Sequence, residues 1–120
     1  MNITFKATDY EIPEAVRELA NEKFEKVGGL LGERAGGAIC ALELASFDGQ
    51  RSTADRYYAE ATIGVDGDMY RASAYAPSME EAVHKVEADI TREVRKKKGK
   101  GERNVRDAGR AVKRWLLGEK

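Results

Sequence analysis

Apolar and polar residues alternate along four segments of the chain, the period-two pattern of β-strands with one buried face. These segments are residues 2–8, 38–46, 56–65 and 69–75. Asp66-Gly67-Asp68, between the last two, predicts a tight hairpin because Asp-Gly favours two-residue turns. The alternation puts Ile39, Ala41, Glu43 and Ala45 on the outward face of the second segment. The residues predicted to face inward are Ile3, Phe5, Ala7, Cys40, Leu42, Leu44, Tyr57, Ala59, Ala61, Ile63, Val65, Tyr70, Ala72 and Ala74.

Two further segments carry apolar residues at intervals of three and four, which predicts amphipathic helices. The first begins at Pro13 and should run to about Val27, where Gly28-Gly29 ends or frays it. The second begins after Ser78, an N-cap with Glu81 as its capping-box partner, and is expected to break at Gly99 and Gly101. The predicted buried stripes are Val16, Leu19, Ala20, Phe24 and Val27 in the first helix, and Met79, Ala82, Val83, Val86, Ile90 and Val94 in the second.

The predicted order β-α-β-β-β-α defines an α+β fold, a two-layer sandwich with a four-stranded mixed sheet. The first helix crosses between two strands that should be parallel, and the last three strands should form an antiparallel meander. Because each strand has one apolar face, both helices are expected on the same face of the sheet. We expect a domain over residues 1–100 and a basic tail over 101–120 that is disordered or transiently helical.

Composition and charge indicate the class of protein, its compartment and the kind of partner it binds. The chain of 120 residues has 42% hydrophobic and 35% charged residues, which is typical of one globular domain. A single cysteine and the lack of a signal peptide or membrane span predict a cytoplasmic protein. The net charge of zero hides an asymmetry: residues 1–90 hold 9 Lys and Arg against 17 Asp and Glu, and residues 91–120 hold 12 against 4. Such a basic end favours a polyanionic partner.

The sequence offers no catalytic constellation. It contains one histidine, His84, and one cysteine, Cys40, and we expect the first on the surface and the second in the core. The glycine pairs at 28–29 and 36–37 lack the spacing of a phosphate loop. We therefore expect no enzyme activity, cofactor, metal site or small-molecule substrate.

The basic cluster at the end of the second helix exceeds what the helix dipole can use. Cations on the exposed side of a packed helix form a fixed row that can contact successive phosphates, so structured RNA is the expected ligand. Two alternatives stay open: a protein-interaction module that docks through Trp115, Leu116 and Leu117, and a double-stranded RNA binder, although the usual α-β-β-β-α order of that module lacks the leading strand. The cluster comprises Arg92, Arg95, Lys96, Lys97 and Lys98, with Lys85 on the same flank.

Three stretches within residues 2–102 resemble the ribosome hibernation promoting factors, the family of ribosome-associated inhibitor A. They are EIPEAVRELANEKFEKV, DMYRASAYAPSMEEAV and IxREVxKxKxKGE. The resemblance implies a stress protein that binds rRNA of the 30S subunit near the decoding channel and excludes tRNA and mRNA without catalysis. It also implies a short form without the additional dimerisation domain, which we expect to be a monomer off the ribosome.

The resemblance further indicates which cations contact rRNA. Family basic positions fall on Arg17, Lys23 and Lys26 in the first helix and on Arg92, Lys96, Lys98 and Lys100 in the second. Arg95 and Lys97 add charge beyond the family pattern, whereas Asp89 stands where a lysine is usual. The first helix is also more acidic than the family pattern. The full set of predicted rRNA-binding residues is Arg17, Lys23, Lys26, Lys85, Arg92, Arg95, Lys96, Lys97, Lys98 and Lys100.

Overall fold

The strands and helices follow the predicted order β-α-β-β-β-α. The computed structural model describes residues 1–47 and 52–111, with side chains of the last helix described as far as Lys97. Short 3₁₀ segments, Gly32–Gly37 and Thr53–Asp55, lie in two of the connections. The main elements are β1 (Asn2–Thr8), α1 (Glu14–Leu31), β2 (Ile39–Ser46), β3 (Tyr57–Val65), β4 (Asp68–Ala76) and α2 (Met79–Ala111).

The four strands lie in the sheet in chain order, β1-β2-β3-β4. β1 and β2 are parallel, and the pairs β2–β3 and β3–β4 are antiparallel, which confirms the mixed sheet. Val65 pairs with Asp68 across the last hairpin. The two residues between them, Asp66 and Gly67, have φ values of 50° and 83°. Positive φ at both central positions is the geometry of a type I′ turn, so the predicted tight hairpin is confirmed.

Both helices pack on the same face of the sheet, and the α+β two-layer fold is confirmed. Phe24 of α1 and Val86 and Ile90 of α2 are fully buried in one core with the inward residues of β2 and β3. α2 contacts both β3 and β4. The inward alanines of those strands leave room for this close approach, since they carry a single methyl group. The whole predicted stripe of α2 is buried: Met79, Ala82, Val83, Val86, Ile90 and Val94.

The start of α2 is fixed by the predicted capping box. The backbone N–H of Glu81 donates to Ser78 Oγ at 3.2 Å. The hydroxyl of Ser78 in turn donates to Glu81 Oε2, also at 3.2 Å. These bonds satisfy one of the N–H groups left free at a helix start and therefore define where α2 begins.

Both predicted helix ends are wrong, because glycine alone does not stop a helix. α1 continues through Gly28 and Gly29 to Leu31, whose side chain extends the buried stripe by one turn. It ends at Gly32, which has a φ of 65°. α2 passes through the glycines at 99 and 101 and reaches Ala111. A glycine inside a helix costs about 1 kcal/mol relative to alanine, which burial of Leu31 in α1 and good helix formers around the glycines in α2 can offset.

One side chain of the outer sheet face departs from the alternation. Ala45 is predicted outward, yet it is only 6% exposed. Its partner across β2 and β3 is Tyr58. A large ring directly opposite a small side chain on the same face covers it, so the outer face is partly closed at this end of the sheet.

Part of the predicted organisation lies outside the described residues. This applies to the centre of the polar loop, residues 48–51, and to residues 112–120 with their apolar side chains. The division into a domain of residues 1–100 and a tail stays a prediction. Among the described helices, none is both long enough and apolar enough to cross a membrane.

Candidate nucleic-acid interface

The exposed side of α2 carries three of the predicted cations in a fixed arrangement. Because Val86, Ile90 and Val94 are buried, the opposite side of the helix faces solvent. Arg92, Arg95 and Lys96 are all exposed there. They line a shallow surface depression together with Glu87, Ala88 and Thr91. The buried stripe therefore sets the direction in which these cations project.

A second row runs along the flank of α2 that faces β4. Lys85, Asp89, Arg92 and Lys96 follow one another at intervals of four, three and four residues, which places them on one side of the helix. Lys85 Nζ lies 3.5 Å from the backbone carbonyl oxygen of Tyr75, at the β4 edge. Arg92 Nη1 donates to Asp89 Oδ1 at 3.0 Å. Asp89 thus offsets part of the positive charge in this row.

Lys97 has a different surrounding from the other cations of α2. Its ammonium group donates to Asp68 Oδ1. The other oxygen of Asp68 accepts from Arg34 Nη2 at 3.0 Å, and Arg34 Nε donates to Asp66 Oδ2 at 3.0 Å. The hydrogen bond from Lys97 lowers the pKa of Asp68, and the same bond raises the pKa of Lys97. This cluster ties α2 to the β3–β4 hairpin, so Lys97 is directed toward the protein's own carboxylates.

The predicted cations of α1 lie on two different flanks. Arg17 sits over the ring of Phe5 in β1, with its guanidinium carbon 4.6 Å from the ring centroid. At 100° per residue, Lys23 and Lys26 belong to the opposite flank of α1, away from β1. α1 and α2 are in contact with each other. Arg17 is therefore separated from the α2 cations, whereas Lys23 and Lys26 are on the nearer flank.

The solvent-facing side of α1 is acidic. Its four glutamates are all exposed: Glu14, Glu18, Glu22 and Glu25. The helical layer thus presents an acidic α1 beside a basic α2. A polyanion is attracted to the second and repelled by the first.

Sequence reasoning missed an aromatic cluster on the open face of the sheet, the face without helices. The Tyr58 and Tyr75 ring centroids are 4.9 Å apart, and those of Phe47 and Tyr75 are 5.9 Å apart. The alternation of β3 and β4 already puts both tyrosines on the outward face. Their direct pairing follows from the register of the hairpin, because a two-residue Asp66-Gly67 turn puts Val65 opposite Asp68 and Tyr58 opposite Tyr75. The contact between Phe47 and Tyr75 involves distant segments and required the structure.

His84 and Cys40 are the other two residues considered in the sequence analysis. His84 is exposed, as predicted. Cys40 is fully buried, and burial raises the pKa of its thiol to about 12. No group of three or more metal-ligating side chains occurs within the described part of the chain. The side chains of Lys98 and Lys100 lie outside the described residues, so their predicted role stays a prediction.

Comparison with known proteins gives a family and a shared fold. Residues 1–102 match the family described as Sigma 54 modulation protein / S30EA ribosomal protein. The N-terminal domain of Protein Y from Thermus thermophilus superposes with a TM-score of 0.66 at 16% identity, covering 80% of this chain and 98% of that one. A ribosomal subunit interface protein from Coxiella burnetii gives 0.66 at 17% identity, covering 83% and 100%. No curated protein matches the sequence.

Proposed function

Because the chain belongs to the Sigma 54 modulation protein / S30EA ribosomal protein family, we propose that it is a ribosome hibernation factor. In this proposal it binds rRNA of the small ribosomal subunit near the decoding channel and inhibits translation there. It acts by occupying space that tRNA and mRNA require, so no catalytic group is needed.

The observation that carries the proposal is the row of cations along the flank of α2 that faces β4. Lys85, Arg92 and Lys96 are exposed on a helix whose opposite side is buried in the core. Because packing already fixes the helix backbone, only the side chains of these cations lose conformational freedom when they contact phosphates. The guanidinium of Arg92 can also form two parallel hydrogen bonds with one phosphate.

The charge distribution supports contact through α2 rather than through the acidic solvent-facing side of α1. In the proposal Lys23 and Lys26 contribute from the flank of α1 nearer to α2, and Arg17 contributes least because it lies at the β1 edge. Lys97 contributes less than its neighbours, since Asp68 already accepts its hydrogen bond.

The proposal is tested by co-sedimentation with 30S subunits at a fixed salt concentration. The variant Arg92→Gln/Lys96→Gln should lower affinity by about tenfold for each cation that contacts a phosphate. The control variant Lys6→Gln removes one charge at the β1 edge, at a residue outside the predicted rRNA-binding set, and should have a small effect compared with Lys96→Gln alone. Equal losses in Lys6→Gln and Lys96→Gln would indicate unspecific attraction and contradict the proposal.

Competition by tRNA tests the location. If the protein occupies the decoding channel, saturating tRNA should release the bound wild-type protein from the subunit. Undiminished binding in the presence of tRNA would instead indicate a site elsewhere on the ribosome.

A further inference from the structure

The aromatic cluster Phe47–Tyr58–Tyr75 lies near the β4 edge, which Lys85 of the α2 cation row (Lys85, Arg92 and Lys96) also reaches. The cluster has no role in the phosphate contacts proposed above. We infer that it is a stacking site for a base of single-stranded RNA. In this inference the RNA passes from α2 around the β4 edge onto the open face of the sheet. The inference rests on the proposed function, which supplies the RNA partner. It adds a contact with a base to the phosphate contacts proposed above.

The cluster is held in one arrangement by the sheet itself. Tyr58 and Tyr75 are direct partners across the β3–β4 ladder, and both point to the open face. The backbone N–H of Phe47 donates to the carbonyl of Arg56 at 2.8 Å, which fixes the end of β2 next to them. Rings positioned by strands are already in place before a ligand arrives, so stacking requires little further ordering.

A hydrogen-bond network fixes the orientation of Tyr58. Its hydroxyl donates to Glu60 Oε1 at 2.9 Å, and Glu60 Oε2 accepts from Arg71 Nε. The bond from Arg71 lowers the pKa of Glu60, which is therefore an ionised carboxylate paired with a guanidinium. The pairing reduces the repulsion that an unpaired carboxylate would exert on RNA at this face.

A cation stands at the edge of the cluster, where the RNA backbone would pass. Lys85 Nζ is 3.5 Å from the backbone carbonyl oxygen of Tyr75, so the ammonium group reaches the β4 edge at the residue whose ring lies on the open face. Single-stranded RNA is bound by such combinations, in which aromatic rings stack on bases and neighbouring cations contact phosphates. Tyr75 is the most exposed of the three aromatic residues, at 36%.

The path between α2 and the cluster is also lined by polar groups. A surface depression between the outer edge of β4 and α2 is bordered by Met69, Arg71 and Ser73 on the strand and by Asp89, Arg92 and Glu93 on the helix. Arg71 is paired with Glu60 and Arg92 with Asp89, so the depression carries both signs of charge. A strand of RNA bound to Arg92 could follow this depression to Lys85 and Tyr75. The aromatic cluster and the cation row then form one continuous surface.

The experiment measures the binding of the full-length protein to a fluorescein-labelled single-stranded RNA of ten mixed nucleotides. Tyr75→Leu keeps an apolar side chain but removes the ring, and it should weaken binding by about fivefold to a hundredfold, the range for one stacked base. Tyr75→Phe keeps the ring and should bind like the wild type. Ile39→Ala, which shortens an exposed apolar side chain at the opposite end of the open face, is the control and should also bind like the wild type.

Salt titration separates stacking from charge. Tyr75→Leu should leave the slope of log affinity against log salt unchanged, whereas Lys85→Ala should reduce its magnitude by about 0.7, the value for one phosphate of a single strand. Wild-type affinity of Tyr75→Leu, or an equal loss in Ile39→Ala, would overturn the inference. Thermal unfolding of each variant shows whether a loss arises from misfolding. If Tyr75→Leu unfolds, Tyr58→Leu removes the neighbouring ring instead and should also weaken binding, and wild-type affinity of that variant would overturn the inference.

The same variants in 30S co-sedimentation keep the two proposals distinguishable. If Tyr75→Leu binds both RNA and 30S subunits normally while Arg92→Gln/Lys96→Gln loses them, the stacking site is wrong and the proposed function stands. If the wild type binds the oligonucleotide through Tyr75 but does not bind 30S subunits, the stacking site stands and the proposed function is wrong. Binding of neither RNA nor ribosomes would contradict both.

Discussion

Asp68 shows how one residue decides which cations of α2 are available to a ligand. It accepts hydrogen bonds from Lys97 and Arg34, and Lys97 is the main cause of its lowered pKa. A lowered pKa in the folded state means that this interaction is fully present above the unfolded value of about 3.9 and is lost as pH falls through the folded pKa. At neutral pH, therefore, Lys97 is paired with the hairpin, whereas Arg92 is paired with Asp89 of its own helix.

This distinction is not visible in the sequence. Lys97 follows Val94 by three residues and Ile90 by seven, so helical spacing places it in line with the buried stripe of α2, yet its side chain is 55% accessible. Its partner Asp68 is 29 positions away in the chain, on a hairpin that comes near the helix only in the folded protein. Sequence reasoning therefore identified the cation but not its partner.

A prediction at the scale of a single residue concerns the reactivity of the Cys40 thiol. The thiol is fully buried in β2 and its pKa is about 12. At pH 8 roughly one molecule in 10⁴ carries the reactive thiolate, so a disulfide reagent such as DTNB should label the native protein very slowly and the guanidinium-unfolded protein at once. The released chromophore measures the rate.

An added surface thiol provides the control for this measurement. Thr4 is exposed on the open face of β1, so Thr4→Cys should react with one rapid and one slow equivalent. Rapid labelling of Cys40 in the native wild type would contradict its burial in the core.

The helices show where sequence patterns are sufficient and where they are not. The start of α2 was predictable, since Ser78 and Glu81 form the capping box that their spacing predicts. The start of α1 was off by one residue, because Pro13 is extended and α1 begins at Glu14. The ends were not predictable, because ending a helix depends on backbone geometry and on the next buried residue. In α1 the decisive residue is Gly32, with a φ of 65°, and not the earlier Gly28-Gly29 pair.

The two glycines at the end of α1 should respond to alanine in opposite directions. Gly29 is an exposed helical residue, and a Cβ there would meet no atom within 4 Å. Gly29→Ala should therefore raise the free energy of unfolding by about 0.5–1 kcal/mol. Gly32 has a φ of 65° and a ψ of −132°, a conformation that other residues rarely adopt, so Gly32→Ala should lower it by about 1–3 kcal/mol.

Urea unfolding followed by circular dichroism measures both glycine variants against the wild type. The pair is matched, since each variant adds one methyl group at a site with open space around it. A stabilised Gly32→Ala protein would show that the helix end does not depend on the glycine conformation.

At the scale of the whole molecule, the fold was predictable and the surface only in part. Alternating strands and two amphipathic helices determine the layers, because each apolar face must be covered. The surface depends on contacts between distant segments, which is why the aromatic cluster and the separation of Arg17 from the α2 cations required the structure. The segregation of charge, in contrast, is fully readable from the sequence: a net −8 over residues 1–90 and +8 over 91–120.

This segregation predicts how salt should affect ribosome binding. The neutral molecule has no overall attraction to a polyanion, so affinity must come from local contacts that release counterions from phosphates. About five contacts predict that log affinity falls with log salt at a slope of about −4 to −5, measured by 30S co-sedimentation at a series of KCl concentrations. Arg92→Gln/Lys96→Gln should reduce the magnitude of the slope by about 2, while Lys6→Gln should leave it nearly unchanged. Because a partner protein bound through apolar residues would give an almost flat response, a flat slope in the wild type would contradict binding through rRNA phosphates.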